Sequence, residues 1–298
     1  MGIEVQTVKL LLLARQAGVD FSDALTIGHQ DVLVSPPNMM SAFEQFGERL
    51  TTEDADTLSG RENRFSDALF RRLGASKIDS LDISSFEGAT LIHDLNRPLP
   101  SDMAGRFSVV FDGGTLEHVF NCTTALASYM ALPRVGGHLL IAVPSNNEMG
   151  HGFYQFSPEF FFRTLTPENG YRLCGVFLVP MFLDVDWLRA RDPATVGRRV
   201  GFNAPRRPSY LFVIAQRVQS VPIFAQNPQQ SDYSAEWGTG EARDTSGHGV
   251  GGGWKARVLS LLPQRLGMTV LNWRASRARH DAEALTRFVP GRDRIQAG

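Results

Sequence analysis

The sequence predicts an α/β fold: a mostly parallel sheet covered by helices on both faces. Three observations predict it. Apolar runs too continuous to be half-exposed strands alternate with stretches of helical periodicity. Acidic residues recur at or just after three of the strand ends, at Asp82, Asp94 and Asp112. The strongest run, Phe107–Val119 (FSVVFDGGTLEHV), passes from a core strand into a carboxylate followed by two glycines. Open α/β sheets bind ligands at such strand ends.

Each element follows in chain order. Residues 3–17 (IEVQTVKLLLLARQA) carry apolar positions at helical spacing, with Gly18 closing the helix. Ala24–Gly28 (ALTIG) reads as the first strand, with Asp31–Val34 continuing it after a bend. Helical patterns follow around Met40–Leu50 and Asn63–Leu73, separated by an acidic polar link over residues 51–61. Lys77–Ile83, Thr90–His93 and Phe107–Phe111 are the next three strands. Thr123–Leu132 is a helix that Asn121 or Thr123 can cap. Gly136-Gly137 opens a fifth strand, His138–Val143, which Pro144 ends. Ser157-Pro158-Glu159 starts a helix, with proline at its first position. Tyr171–Val179 and Tyr210–Val218 bring the strands to seven; no helical pattern lies clearly between them, which allows an antiparallel closing pair.

These elements define an α/β domain over residues 1–225. Residues 226–253, rich in Asn, Gln, Ser and Gly, read as a flexible linker. Residues 254–298 carry nine Lys/Arg against three Asp/Glu, with leucines and valines among them. This basic, partly amphipathic tail is suited to a partner or membrane surface, the alternative being a solvated tail. The chain has 298 residues, 43% of them hydrophobic, and a net charge of −1. That charge gives no global pull toward nucleic acid or anionic lipid, so no nucleic-acid partner is expected. No run approaches the roughly 18 apolar residues of a membrane span, and Leu10–Ala14 is too short for a secretory core. A cytoplasmic location is the expectation. Cys122 and Cys174 form no CxxC pair and read as small buried residues.

The candidate chemistry sits at the strand ends. In a parallel sheet Asp82, Asp94 and Asp112 share one edge. Ionised carboxylates there suit a ligand carrying hydroxyls and a positive charge, such as a nucleoside with a ribose diol. For each aspartate alone, a turn or helix cap is the alternative. His151 lies in a polar, Gly-flanked loop (Asn146–Phe156) just past the fifth strand. With an ordinary pKa of about 6.5 it can accept a proton from a hydroxyl or amine, or else it only orders the loop with Tyr154. Glu117 and His118 are adjacent, and neighbours on a helix share no face; they read as residues shaping the turn. His29 is left open between the ligand edge and solvent. No group of His, Cys and carboxylates has metal-ligand spacing, and GxSxG and GxxxxGK[ST] are absent, so no metal is expected and the usual hydrolase and triphosphatase readings fall away.

FSVVFDGGTLEHV, a helix, then PRVGGHLLIAVPS resemble the second half of the class I S-adenosylmethionine-dependent methyltransferases, in particular their small-molecule type 11 group. The resemblance spans about residues 20–218, and Phe107–Pro144 is its most specific part. The first-strand turn, ALTIGHQD, carries Gly28 alone where the family usually has GxGxG. The resemblance implies a Rossmann-like, seven-stranded, mostly parallel sheet and S-adenosylmethionine as cofactor. It assigns Asp82 to the ribose hydroxyls, Asp94 and Leu95 to the adenine, and Asp112 and Gly113 to the methionine and methyl end, with Gly28 in the first turn. It also implies methyl transfer to an oxygen or nitrogen of a small-molecule or sugar-linked acceptor. On this reading His151 and Asp112 are the catalytic candidates. Arg189, Arg191, Arg198, Arg199, Arg206 and Arg207 hint at an anionic acceptor or form a solvated face. The alternative is a non-catalytic binding or scaffold protein that keeps the fold without strong cofactor affinity.

Overall fold

The computed structural model describes residues 2–61, 63–181, 185–196, 208–231 and 284–296. In chain order the elements are β1 (Gly2–Ile3), α1 (Val5–Gln16), β2 (Asp23–Ile27), β3 (Asp31–Val32), α2 (Pro36–Gln45), α3 (Thr52–Leu58), α4 (Asp67–Leu73), β4 (Lys77–Asp82) and β5 (Leu91–Ile92). They continue with β6 (Phe107–Asp112), α5 (Cys122–Ala131), β7 (Pro133–Asn146), α6 (Pro158–Thr164), β8 (Tyr171–Pro180), β9 (Trp187–Ala190), α7 (Pro193–Val196), β10 (Ser209–Arg217) and β11 (Leu285–Phe288). The chain divides into two units. The first, residues 1–190, 206–228 and 286–298, carries the sheet; the second, residues 191–205 and 229–285, includes α7.

The main sheet has the order β11-β9-β8-β10-β7-β6-β2-β4-β5. β5, β4, β2, β6 and β7 run parallel. β10 lies antiparallel between β7 and β8, and β9 is antiparallel to β8. All six residues of β6 are buried, as its continuous apolar run requires at the centre of a sheet covered on both faces. From β2 the chain winds outward through β4 to β5, then returns to β6 on the other side of β2 and winds outward to β7. The direction reverses between β2 and β6, a topological switch point. Register pairs Ile27 with both Leu81 and Asp112. The carboxyl ends of β4, β2 and β6 are therefore level with one another.

The seven strands expected of the sheet become nine in the main sheet among the described residues, through β9 and β11. Each has four residues, buried at both ends with half-buried or exposed positions between; β11 is the edge strand and β9 lies next to it. Trp187 of β9 meets Phe177 and Phe212 edge-on, with ring centroids 5.4 Å and 5.2 Å away, and Phe288 of β11 sits 4.7 Å from Phe177. Buried aromatic area holds these strands in place. The end of the expected tail over 254–298 is thus part of the sheet. Residues 232–283, with most of the expected linker and tail, lie outside the described residues, as do Arg198, Arg199, Arg206 and Arg207.

Two local expectations are also corrected. Part of the polar link over 51–61 is helical: Thr51 Oγ1 accepts from Asp54 N, and the Asp54 carboxylate accepts from Thr51 N, a capping box that starts α3. β3 does not extend β2; it pairs in parallel with β1 in a separate two-stranded sheet. Helix α1 is buried nearly all round, and Gly18 follows it at a φ of 94°, a left-handed C-terminal position that glycine adopts without cost. Its Gln6 Oε1 accepts from Trp187 Nε1 at 2.8 Å, so the helix face and the aromatic edge are tied by a buried hydrogen bond. Cys174 is buried as expected, whereas Cys122 is half-buried. Among the described residues no helix is long and apolar enough to cross a membrane.

Candidate functional site

The switch point is built by three strand ends and the turns that leave them. Gly28 follows β2 at a φ of 73° and donates its N–H to the Leu81 carbonyl at 2.7 Å. A side chain there would start 3.3 Å from Gln30 Nε2, 3.6 Å from Thr115 Oγ1 and 3.9 Å from Asp82 Oδ2. The position is open because it is glycine, and its left-handed φ favours glycine as well. Thr115 Oγ1 donates to the Ile27 carbonyl at 3.2 Å, tying the turn after β6 to the end of β2. Asp82 Oδ1 accepts from Ile83 N at 2.6 Å, and Asp82 Oδ2 faces Gly28.

Gln30, which sequence reasoning did not single out, fills the space between the two glycines. It is almost fully buried, and its Nε2 donates to the Ile27 carbonyl. Its Oε1 is buried without a hydrogen-bond partner, 2.7 Å from where a Cβ on Gly113 would stand. His29 does not face the crevice. It stacks on Phe65 at 3.6 Å and places its ring nitrogens 2.7 Å from the Glu87 carbonyl and 2.9 Å from Asp67 Oδ2.

The three aspartates separate in role. Asp112 is fully buried, and its carboxylate accepts from Gly114 N, Thr115 N and Leu116 N at 3.0, 2.7 and 3.1 Å. The expectation that this side chain faces the reacting group is corrected: it holds the turn that follows its own strand. Asp94 likewise caps locally, accepting from Asn96 N and Asn96 Nδ2, and those bonds hold its carboxyl below the usual range. Leu95 beside it is buried. Asn96 in turn accepts from Asn121 N, joining the turn after β5 to the start of α5. Asp82 is the strand-end carboxylate left with an oxygen toward the crevice.

A second cluster lies on the turn after β6. Glu117 is fully buried, with neither carboxylate oxygen hydrogen-bonded. The loop carrying His151 folds onto it, since Phe153 N donates to the Glu117 carbonyl at 2.8 Å. Gly152 makes this approach possible: a Cβ there would meet the same carbonyl oxygen at 2.8 Å. His151 Nε2 comes to 3.5 Å, and His118 Nε2 to 3.9 Å, from Glu117 Oε1. The two imidazole centroids are 5.0 Å apart, and the Tyr210 ring is 6.4 Å from His151. The fold thus brings Glu117 and His118, expected to shape the turn, together with His151, a grouping that spacing along the sequence does not show. The helical rule for adjacent residues does not govern a single 3-10 turn (Leu116–His118), from which the half-exposed His118 ring folds back.

Burial sets the charge in this region. It pushes Asp112 up to about 6, against the three N–H bonds that favour its anion. Glu117 has no such donors, and burial, followed by the nearby Asp112, pushes it up to about 8. His118 is lowered by burial and then by His151.

No family model and no curated protein matches the sequence. Among solved structures the chain is similar to the branched-chain polyamine synthase of Thermus thermophilus, at 15% identity and a TM-score of 0.37, over 76% of this chain and 60% of that one. It is also similar to 1,6-didemethyltoxoflavin-N1-methyltransferase of Burkholderia thailandensis, at 15% identity and a TM-score of 0.38, over 72% of this chain and 79% of that one. The match thus spans less than two thirds of the Thermus protein. The strand order itself decides the fold, with five parallel strands, a switch point between β2 and β6, and antiparallel β10 placed between β7 and β8. The fold is a doubly wound, mixed α/β sheet, the arrangement that the resemblance to the class I methyltransferases implies.

Proposed function

We propose that this chain is an S-adenosylmethionine-dependent methyltransferase that methylates an oxygen or nitrogen of a small-molecule or sugar-linked acceptor. The observation that carries the reading is the level meeting of Gly28, Asp82 and the Asp112–Thr115 turn at the switch point, where open α/β sheets take their ligands. The residues fit the cofactor. Gly28 leaves a cradle that a Cβ would fill, and Asp82 offers a carboxylate oxygen beside it for a ribose diol. Leu95 offers an apolar neighbour for a base. At the other end Gln30 Oε1 is a buried acceptor lacking a donor, suited to an ammonium group.

The bound cofactor supplies an electrophilic methyl group on a sulfonium. The protein's part is then positioning, which lowers a transfer barrier by several kcal/mol when reacting atoms are held about 3 Å apart. Asp82 and Gly28 orient the nucleoside. Asp112 acts indirectly, by fixing the turn that carries Gly113 and Thr115. His151, part-exposed on the same edge, takes the acceptor's proton.

Calorimetric titration with S-adenosylhomocysteine tests this reading. Binding in the micromolar to sub-millimolar range is expected, weakened in Asp82→Ala by about 10- to 100-fold, the value of one or two hydrogen bonds to a charged acceptor. No binding at millimolar ligand overturns the reading, and affinity unchanged by Asp82→Ala overturns the site assignment.

A further inference from the structure

The Glu117 carboxylate presents an unresolved arrangement. A fully buried carboxylate with both oxygens unpaired costs free energy that a folded protein ordinarily avoids. Two imidazoles point their Nε2 atoms at one of those oxygens, and the three ligand atoms lie within 4.8 Å of one another. Two histidines and a carboxylate, converging from a turn and a loop, form a familiar donor set for first-row divalent transition ions. A tetrahedral ion about 2.0–2.1 Å from each ligand separates them by roughly 3.4 Å. The Glu117–His151 distance of 3.5 Å already meets this, and His118 Nε2 lies 3.9 Å from the same oxygen.

We propose that Glu117, His118 and His151 bind one divalent transition-metal ion of the zinc and cobalt class. The ion resolves the orphaned carboxylate by coordination. It also explains why Gly152 brings the His151 loop down onto the Glu117 turn, a closure that joins ligands far apart in the sequence. Three protein ligands leave coordination positions for water or for an acceptor's oxygen or nitrogen. The inference deepens the proposed methyl transfer and rests on it for that last step: the loaded site binds the acceptor heteroatom and lowers its pKa. The imidazole of His151 is then a ligand rather than the base: the ion lowers the acceptor's pKa, and the proton leaves to solvent before the methyl group is transferred.

The test measures metal on the full chain with no S-adenosyl compound present, so it stands apart from the cofactor titration. Chelator-treated protein is titrated with Co2+ while the visible absorption of the bound ion is followed, and with Zn2+ by competition. One equivalent of Co2+ per chain is expected to bind, displaced by Zn2+, with Mg2+ far weaker because imidazole is a poor ligand for a hard cation. His151→Ala changes a part-exposed side chain and folds as the parent does. It is expected to weaken Co2+ by more than the roughly 10- to 100-fold that loss of an outer partner of a ligand costs. Glu117→Gln is expected to do the same, and His93→Ala, a half-buried histidine outside the cluster, to change nothing. Absence of Co2+ binding at millimolar ion, or binding undiminished in His151→Ala, overturns the proposal. If S-adenosylhomocysteine fails to bind while Co2+ binds as described, the metal site stands and its role in methyl transfer falls.

Discussion

Replacing Phe288 by alanine tests whether the C-terminal end of the chain belongs to the folded core. Phe288 is buried, with its ring 4.7 Å from that of Phe177 and 6.2 Å from that of Trp187, and β11 is the outermost strand of the sheet. Truncating a buried phenylalanine costs about 3–5 kcal/mol. An edge strand relaxes more readily than a central one, so the lower value, about 3 kcal/mol, is the expectation. For an ordered core of this size each kcal/mol moves the melting temperature by about 2–4 °C, which gives a drop of about 6–12 °C. Thermal unfolding followed by circular dichroism reads the shift directly. Phe86→Ala is the control, because Phe86 is 91% exposed and its loss is expected to stay within about 0.5 kcal/mol. If residues 254–298 were a solvated tail throughout, Phe288→Ala and Phe86→Ala would melt together. That outcome would refute the packing argument for both β9 and β11.

Gly113→Ala is expected to destabilise by about 1–3 kcal/mol, since its Cβ would stand 2.7 Å from Gln30 Oε1 in a buried space. Adding Gln30→Ala is expected to recover part of that loss, and a purely additive double mutant in urea unfolding would show that the two residues do not compete. Asp112→Asn is expected to change how stability depends on pH. A carboxyl raised from about 3.9 to about 6 in the folded state contributes stability below pH 4 that is lost as pH rises through 6. The stability of the parent relative to Asp112→Asn is therefore expected to fall by about 3 kcal/mol between pH 4 and pH 7, from about two units at 1.36 kcal/mol each. Urea unfolding with chelator present measures it, and a difference flat with pH would refute the burial argument.

How far the sequence was readable depended on the range over which each feature is determined. The parallel strands were legible because a continuous apolar run such as Phe107–Phe111 reports burial on both faces without reference to any other segment. β9 and β11 were not: WLRA and LTRF have only four residues each, β11 at the sheet edge and β9 beside it, and each carries an arginine between its buried ends, so nothing local separates them from loop or tail. The Glu117–His118–His151 cluster escaped for a related reason. Its spacing in sequence means nothing until the loop bearing Gly152 closes on the turn, and the rule for neighbours on a helix does not transfer to one 3-10 turn.

Position along a strand is legible where the direction of a side chain is not, and the aspartates show the consequence. Asp82 and Asp112 end the strands on either side of β2, one register step apart, and by recurrence alone they carry equal weight. What separates them is the chain that follows. After Asp112 the backbone turns sharply through Gly113 and Gly114, which aims three N–H groups back at the carboxylate and draws it inside. After Asp82 only Ile83 N reaches the side chain, and one oxygen stays toward Gly28. The same two glycines that mark the strand end as a ligand edge therefore remove its acid from the ligand. The burden of recognising a nucleoside then falls on Asp82, with Gly28 beside it.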